Sequence, residues 1–301
     1  MTALANALLY LGALGAIGAG YYGLFVSDQA RGRSLPSPLK AGVLLGALLI
    51  LAAGPLDLLA TLDRLLGRTD LALFNDYLRG TRHGNATALR SGLALLLLPL
   101  LLLPVRGFTR PAFVLVGTGL LATFSWTSHS AAMGGSVPLV TDLLHLIAAS
   151  AWVGAVTYTA WTFGWGGAEN REALLGTFRR LSGTGLLAVA LLTASGVYMS
   201  LLHLTGPEVV TGTEYGRAYL VKLVLVGITL AAAAVNRFWL LPGVERGRSV
   251  SAFRALLRIE SLLLVAVVIA TAVLATSSLP HDADVPSPLE NLRNFLPWTR
   301  N

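Results

Sequence analysis

The chain has 301 residues, 54% hydrophobic and only 12% charged, whereas ordinary soluble domains carry about 25% charged residues, so a soluble globular protein is excluded in favour of an integral membrane protein. Its formal net charge of +7 comes from 22 Lys and Arg against 15 Asp and Glu. It has no cysteine, which removes disulfides, thiolate metal sites and CxxC redox pairs.

A hydrocarbon core about 30 Å thick is crossed by roughly 20 helical residues. Apolar runs of that order lie at about 3–26, 40–60, 88–104, 112–132, 138–163, 183–203, 218–240 and 256–277. They predict about eight transmembrane helices in a single all-α polytopic bundle spanning 1–301, and none shows the alternation of barrel strands. Gly12, Gly15, Gly18 and Gly20 in the first run and Gly42 and Gly46 in the second predict close helix approach through small faces. The first run lacks a basic leading segment and a cleavage site, so it is expected to be a retained helix rather than a removed signal peptide. Between the second and third runs, residues 61–87 interleave Leu62, Leu65, Leu66, Leu71, Leu73 and Phe74 with charges, which predicts an amphipathic helix lying on the membrane surface.

Orientation follows from the basic residues, because cytoplasmic loops retain Lys and Arg. One set of loops carries Arg31, Arg33 and Lys40, then Arg106 and Arg110, then Arg171, Arg179 and Arg180, then Arg237, Arg246, Arg248, Arg254 and Arg258, which is 13 of the 22. In the other set Arg64, Arg68, Arg79, Arg82 and Arg90 cluster in or beside 61–87, where Asp63, Asp70 and Asp76 offset them. Both termini and the 61–87 connection are therefore expected outside, with the net charge serving inner-leaflet anchoring and not nucleic-acid binding.

The fourth and fifth runs flank the most informative stretch, residues 124–154, which places His129, Met133, Asp142 and His145 around the Gly134–Gly135 connection. An ionisable side chain at membrane depth is costly enough to be a functional candidate by default. All five histidines, His83, His129, His145, His203 and His281, fall on the expected outer side. His129 and Met133 are four residues apart, as are Met199 and His203, so each pair shares a helix face, and apart from Met1 these are the chain's methionines. Imidazole with thioether is a copper ligand set: thioether favours Cu(I), and imidazole accommodates either oxidation state. Asp142, one turn before His145, is placed either to receive that ring's second N–H or to be an oxygen ligand itself. The bland alternative for each histidine is an interfacial side chain bonded to backbone or lipid headgroups.

Farther along, Lys222 near the outer end of the seventh run is expected to snorkel, and Glu260 near the inner end of the eighth to pair with Arg237 or Arg258. Trp152 reads as packing, Tyr215–Gly216 as a turn entering the seventh helix, and Asn236–Arg237 as an interface anchor. Few polar residues mark the inner half, so no ion path is legible there. No Gly-x-Ser-x-Gly elbow, His-Glu-x-x-His, P-loop or dinucleotide fingerprint occurs, and a non-enzymatic role is expected.

The run Ser128-His129-Ser-Ala-Ala, followed by Asp142-Leu-Leu-His145-Leu-Ile-Ala-Ala-Ser-Ala-Trp152-Val-Gly154, resembles the hallmark of the copper resistance D (CopD) family. Thr193-x-Ser-Gly196-Val-Tyr, Thr213-Glu-Tyr215-Gly216-Arg-x-Tyr-Leu-x-Lys222, Asn236-Arg237-Phe-Trp-Leu-Leu-Pro242, Arg258-Ile-Glu260 and Leu279-Pro280 follow in that family's order. The likeness covers roughly residues 120–280, and the first three spans by hydropathy alone. Ser128 stands where glycine usually precedes the first histidine, and the ending reads Leu-Pro280-His281 where Pro-Pro is usual.

The resemblance implies a multi-pass protein of the bacterial inner membrane that admits copper from the periplasm, with His129 and His145 as the family's histidines. The ligand candidates are then His129, His145, Met133, Asp142, His203 and Met199, binding Cu(I) or Cu(II) delivered by a periplasmic copper-carrier protein. Two other readings stay open on the sequence: a redox protein holding haem b between two histidines, and a non-transporting assembly partner of a copper enzyme.

Overall fold

A computed structural model of the chain describes residues 2–27, 35–67, 69–104, 107–128, 131, 135–162, 171–203 and 213–277. Helix α1 (Thr2–Tyr21) widens into a π-type turn at Tyr22–Val26 and is followed by α2 (Ser37–Leu66), α3 (Leu71–Gly80), α4 (Arg82–Leu100) and α5 (Thr109–Trp126). Then come α6 (Ser136–Thr162), α7 (Arg171–His203), α8 (Glu214–Val235), a second π-type turn at Asn236–Leu240, α9 (Leu241–Glu245) and α10 (Ser251–Thr276). The chain is an all-α polytopic membrane bundle, with no strand among the described residues.

Among the described residues six segments are long and apolar enough to cross a membrane: Thr2–Val26, Ser37–Leu66, Ser136–Trp161, Leu175–Leu202, Glu214–Glu245 and Ser251–Thr276. The other two expected spans are α4 and α5, helices of 19 and 18 residues that also belong to the bundle. They differ because arginine interrupts their apolar runs, Arg82 and Arg90 in α4 and Arg110 in the first turn of α5.

Helix α1 is the hub: it packs along α2, α6 and α10, while α7 lies on α6, α8 on α10, and the α4–α5 pair against α2 and α6. Glycine permits this centre. A Cβ added at Gly12 would lie 2.8 Å from the Gly46 carbonyl oxygen of α2, and one at Gly18 would lie 2.8 Å from Gly154 Cα and the Ser150 carbonyl oxygen of α6. The Phe113 ring seats against Gly20, and the Tyr158 hydroxyl against Gly42. The expected small-face packing therefore holds at those positions, whereas a Cβ at Gly15 would meet nothing within 4 Å.

Residues 61–87 are more helical than a loop. Helix α2 continues to Leu66; the Asp70 carboxylate caps α3 by accepting from the Leu73 amide at 2.8 Å; and Thr81 caps α4 by accepting from the Gly84 amide at 3.0 Å. Helix α3 packs Leu73 and Tyr77 on Leu58 and Leu62 while Leu71 is exposed.

The two ends of the bundle differ in chemistry. At one end the carbonyls released as α1 finishes are taken by arginines from other helices, Arg110 Nη2 donating to Leu24 O at 2.7 Å and Arg180 Nε to Val26 O at 2.8 Å. Arg237 donates there to the Ser182 carbonyl at 2.9 Å and to its hydroxyl, and Arg258 lies 4.8 Å from the Trp161 ring. The other end carries His83 and His145 and the last turn of α7.

Candidate functional site

A cavity of about 670 Å³ occupies the histidine end, walled by α1, α2, α4 to α8 and α10. Helix α6 supplies one wall because Asp142, His145, Ala149 and Trp152 recur at helical spacing, and all four line the cavity. Helix α7 contributes Thr193, Gly196, Met199 and Ser200, and α8 contributes Tyr215, Tyr219 and Lys222. Thr213 caps α8 by accepting from the Gly216 amide at 2.9 Å, so Tyr215–Gly216 forms its first turn. The Ser200 and Tyr219 hydroxyls, 2.6 Å apart, tie α7 to α8.

The centre of this site is His145. Its Nδ1 lies 2.9 Å from Ser195 Oγ on α7, and the Ser195 hydroxyl itself donates to the Leu191 carbonyl at 2.6 Å. A hydroxyl has one proton. With that proton on Leu191, Ser195 accepts from the ring, so Nδ1 carries a hydrogen, and in the neutral ring the lone pair is then on Nε2. A neutral imidazole held by its second nitrogen is the form in which histidine binds metals.

Of the two roles open to Asp142, receiving the ring's second N–H falls to Ser195, because α7 packs on α6 at this level, and the role of oxygen ligand stays open. Asp142 still lines the cavity, as do Met199 and Lys222. Lys222 was expected to snorkel to the interface but faces this interior, in electrostatic reach of Asp142. His129, Met133 and His281 lie outside the described residues, as does the side chain of His203, although α7 ends at His203. Among the described residues no three His, Asp or Glu side chains gather closely enough to hold a metal ion.

His83 also lines the cavity, but its ring is committed: Nε2 is 3.0 Å from Asp57 Oδ2, and Nδ1 is 3.4 Å from the Tyr77 hydroxyl. Burial raises the Tyr77 phenol above its ordinary pKa, which keeps it protonated in this contact. His83 therefore ties α4 to α2 and α3.

Arg90 is a site residue that the sequence reading placed with the outer loop charges. It is buried, 3% exposed, and lines the cavity with Nε donating to Thr123 Oγ1 at 3.0 Å, Nη2 to the Thr123 carbonyl at 3.3 Å, and its guanidinium 3.8 Å from the Phe124 ring centre. Its place inside the apolar run at about 88–104 was the available signal. An Arg90→Ala variant is expected to lose about 2–4 kcal/mol of stability through the lost stem packing, charged hydrogen bonds and ring contact, visible as a lower unfolding temperature in detergent.

Glu260 departs from expectation in its partners. Neither Arg237 nor Arg258 reaches it; Trp152 Nε1 donates to Oε1 at 3.2 Å, and Asn236 Nδ2 to Oε2 at 3.0 Å. The arginines are engaged elsewhere, Arg237 on Ser182 and Arg258 on the Ala160 carbonyl at 3.4 Å. Trp152 is thus a hydrogen-bond donor as well as a packing residue, and Asn236 an interior residue instead of an interface anchor.

Comparison with known proteins covers both halves of the chain. The family described as "Copper resistance protein D-like, N-terminal domain" matches residues 1–139, and "Copper resistance protein D" matches residues 175–274. The chain is similar to copper resistance protein D of Pseudomonas syringae pv. tomato, 36% identical over 140 residues, 44% of this chain and 45% of the relative. It is also similar to inner membrane protein YebZ of Escherichia coli (strain K12), 29% identical over 168 residues, 55% of this chain and 58% of the relative. The chain spans about half the length of these curated relatives. No solved structure matches it.

Proposed function

This chain belongs to the copper resistance protein D family, and from that premise we propose that it captures copper at the histidine end of its bundle and passes it across the bacterial inner membrane towards the cytoplasm. The observation that carries the reading is His145: an imidazole whose Nδ1 is engaged by Ser195, so that Nε2 is the nitrogen to take a metal at a membrane-embedded cavity. Met199 on the same cavity offers a thioether, and Asp142 an oxygen ligand. His129 and Met133 complete the set in this proposal, on the strength of their position just after α5, which ends at Trp126 on the same end of the bundle.

The proposed orientation rests on the positive-inside rule. Arg110, Arg180, Arg237 and Arg258 gather opposite the histidines, which the positive-inside rule assigns to the cytoplasm, so the cavity faces the periplasm and a periplasmic carrier could load it. The role proposed is binding and passage, with no chemical transformation.

The test is elemental and optical analysis of the detergent-purified protein expressed with copper supplied, followed by copper uptake into proteoliposomes. About one copper per chain with no haem absorption supports the reading. Iron with a haem band assigns the histidines to haem b, and neither metal overturns the site. A Ser195→Ala variant is expected to weaken copper binding by about 10–100-fold, because the ring loses the group that fixes its tautomer and orientation. A competition titration against a chelator measures it, and unchanged affinity would sink the positioning role.

A further inference from the structure

A second, smaller cavity of about 180 Å³ lies in the half of the bundle nearer the arginines. It shares Trp152, Val189 and Leu230 with the histidine cavity, so these three side chains form the partition between the two chambers. Glu260 and Asn236 line the smaller chamber and are 3% and 4% exposed. The Trp152 indole reaches across the partition to Glu260 Oε1, while Asn236 Nδ2 holds Oε2.

The electrostatics of this group are incomplete. Two neutral N–H donors stabilise a carboxylate in its charged form, yet among the described residues no Lys, Arg or His makes an ion pair with Glu260. Arg237 lines the same chamber, but its Nη1 donates to the Ser182 carbonyl and hydroxyl, and no ion pair joins it to Glu260 among the described residues. Buried charges are ordinarily paired or coordinated to a metal. A second observation points the same way: Asn236 Oδ1 is buried with no hydrogen-bond partner. A carboxylate and an orphaned amide oxygen belong to two residues that line one chamber, two electron-rich groups that lack a positive partner, and a cation in the chamber would be a partner for either.

We propose that Glu260 and Asn236 form an inner station that receives the copper cation from the His145 cavity, with Trp152 as the movable partition between the two. This rests on the copper-passage reading and adds the step the sequence left blank, a polar foothold in the inner half. Oxygen donors hold copper less tightly than imidazole or thioether, which suits a station from which the ion leaves: conduction requires sites favourable enough to enter and weak enough to release. Displacement of the indole N–H from Oε1 would open the chambers to each other and free a carboxylate oxygen for the ion in the same movement.

The test uses the full chain in proteoliposomes, with copper as the probe, a copper-sensitive dye inside, and copper per chain measured separately in detergent. Glu260→Gln is expected to slow uptake by about tenfold or more, while copper binding at the His145 site is retained. Glu260→Asp, which keeps the carboxylate, should recover a measurable part of the rate. If the unaltered protein neither binds nor passes copper, the copper reading itself fails. If it passes copper and Glu260→Gln does so equally fast, the inner station alone is overturned. Equal losses in Gln and Asp variants with a lowered unfolding temperature would assign Glu260 to packing and also overturn it. Finally, if a pH-sensitive dye shows that Glu260→Gln abolishes an accompanying proton movement while copper entry is unchanged, the ligand is a proton and the proposal falls.

Discussion

Replacing His145 with alanine is expected to lower copper affinity by more than about 100-fold while leaving the bundle folded. The affinity loss follows from rank: removing a group that merely orients a metal-bound histidine costs about 10–100-fold, so removing the ligand itself costs more. Retention of the fold follows from the local hydrogen bonds. The Ser195 proton is already given to Leu191, so deleting the imidazole takes away a donor that Ser195 accepts from and strands no N–H or O–H. The ring lines a cavity large enough for water to replace it, which puts the stability cost near 1 kcal/mol. Equilibrium dialysis and a thermal unfolding scan measure the two effects. A cycle sharpens the test, since Ser195→Ala acts through the ring and should have no further effect once His145 is gone. Wild-type affinity in His145→Ala would remove His145 from the metal site.

The histidine was legible in the sequence because an ionisable residue inside an apolar helix is conspicuous, and its helix-mates at Asp142 and Trp152 could be placed on one face by counting. Its partner was not legible. Ser195 lies 50 residues away and looks like any small residue in a membrane helix; only the packing of α7 on α6 makes it the group that sets the tautomer. The same reason misplaced the buried charges. A rule that pairs Glu260 with the nearest arginines in sequence follows chain proximity, but a helix presents one face to the core, and the groups there at Glu260's level are the indole of Trp152 and the amide of Asn236.

Arg90 and Lys222 show a related difficulty. Near a predicted boundary, a basic residue in sequence reads as a loop charge or a snorkelling one, because composition does not say which side of the helix it occupies. Both line the histidine cavity, which turns a site expected to be imidazole, thioether and carboxylate into one with basic side chains in its walls as well. The cavity is thus more polar than hydropathy suggested, while the inner half holds one uncompensated carboxylate, Glu260, among the described residues that line its chamber.

The largest stability effect is expected at the crossing of α1 and α6, where Gly154→Leu should prevent accumulation of folded protein. A Cβ at Gly154 falls on the Gly18 carbonyl carbon and oxygen, and one at Gly18 falls 2.8 Å from Gly154 Cα, so each glycine faces backbone with no flexible side chain to yield. Overpacking a core commonly costs about 1–3 kcal/mol when neighbouring side chains can repack. Here the helices themselves must separate, and α1 is also packed against α2 and α10, so the displacement strains several interfaces at once. Because α6 carries Asp142, His145 and Trp152, any molecule that does fold should have lost its copper affinity as well. The control is Gly15→Ala on the same helix, where an added Cβ meets nothing within 4 Å. It should be neutral or stabilising by up to about 1 kcal/mol, since alanine is the better helix former. Unfolding temperatures of the two variants in one detergent decide the matter: a normal Gly154→Leu protein would mean that the close crossing is wrong, and that the Trp152-Val-Gly154 part of the family pattern needs a reason other than contact between α1 and α6.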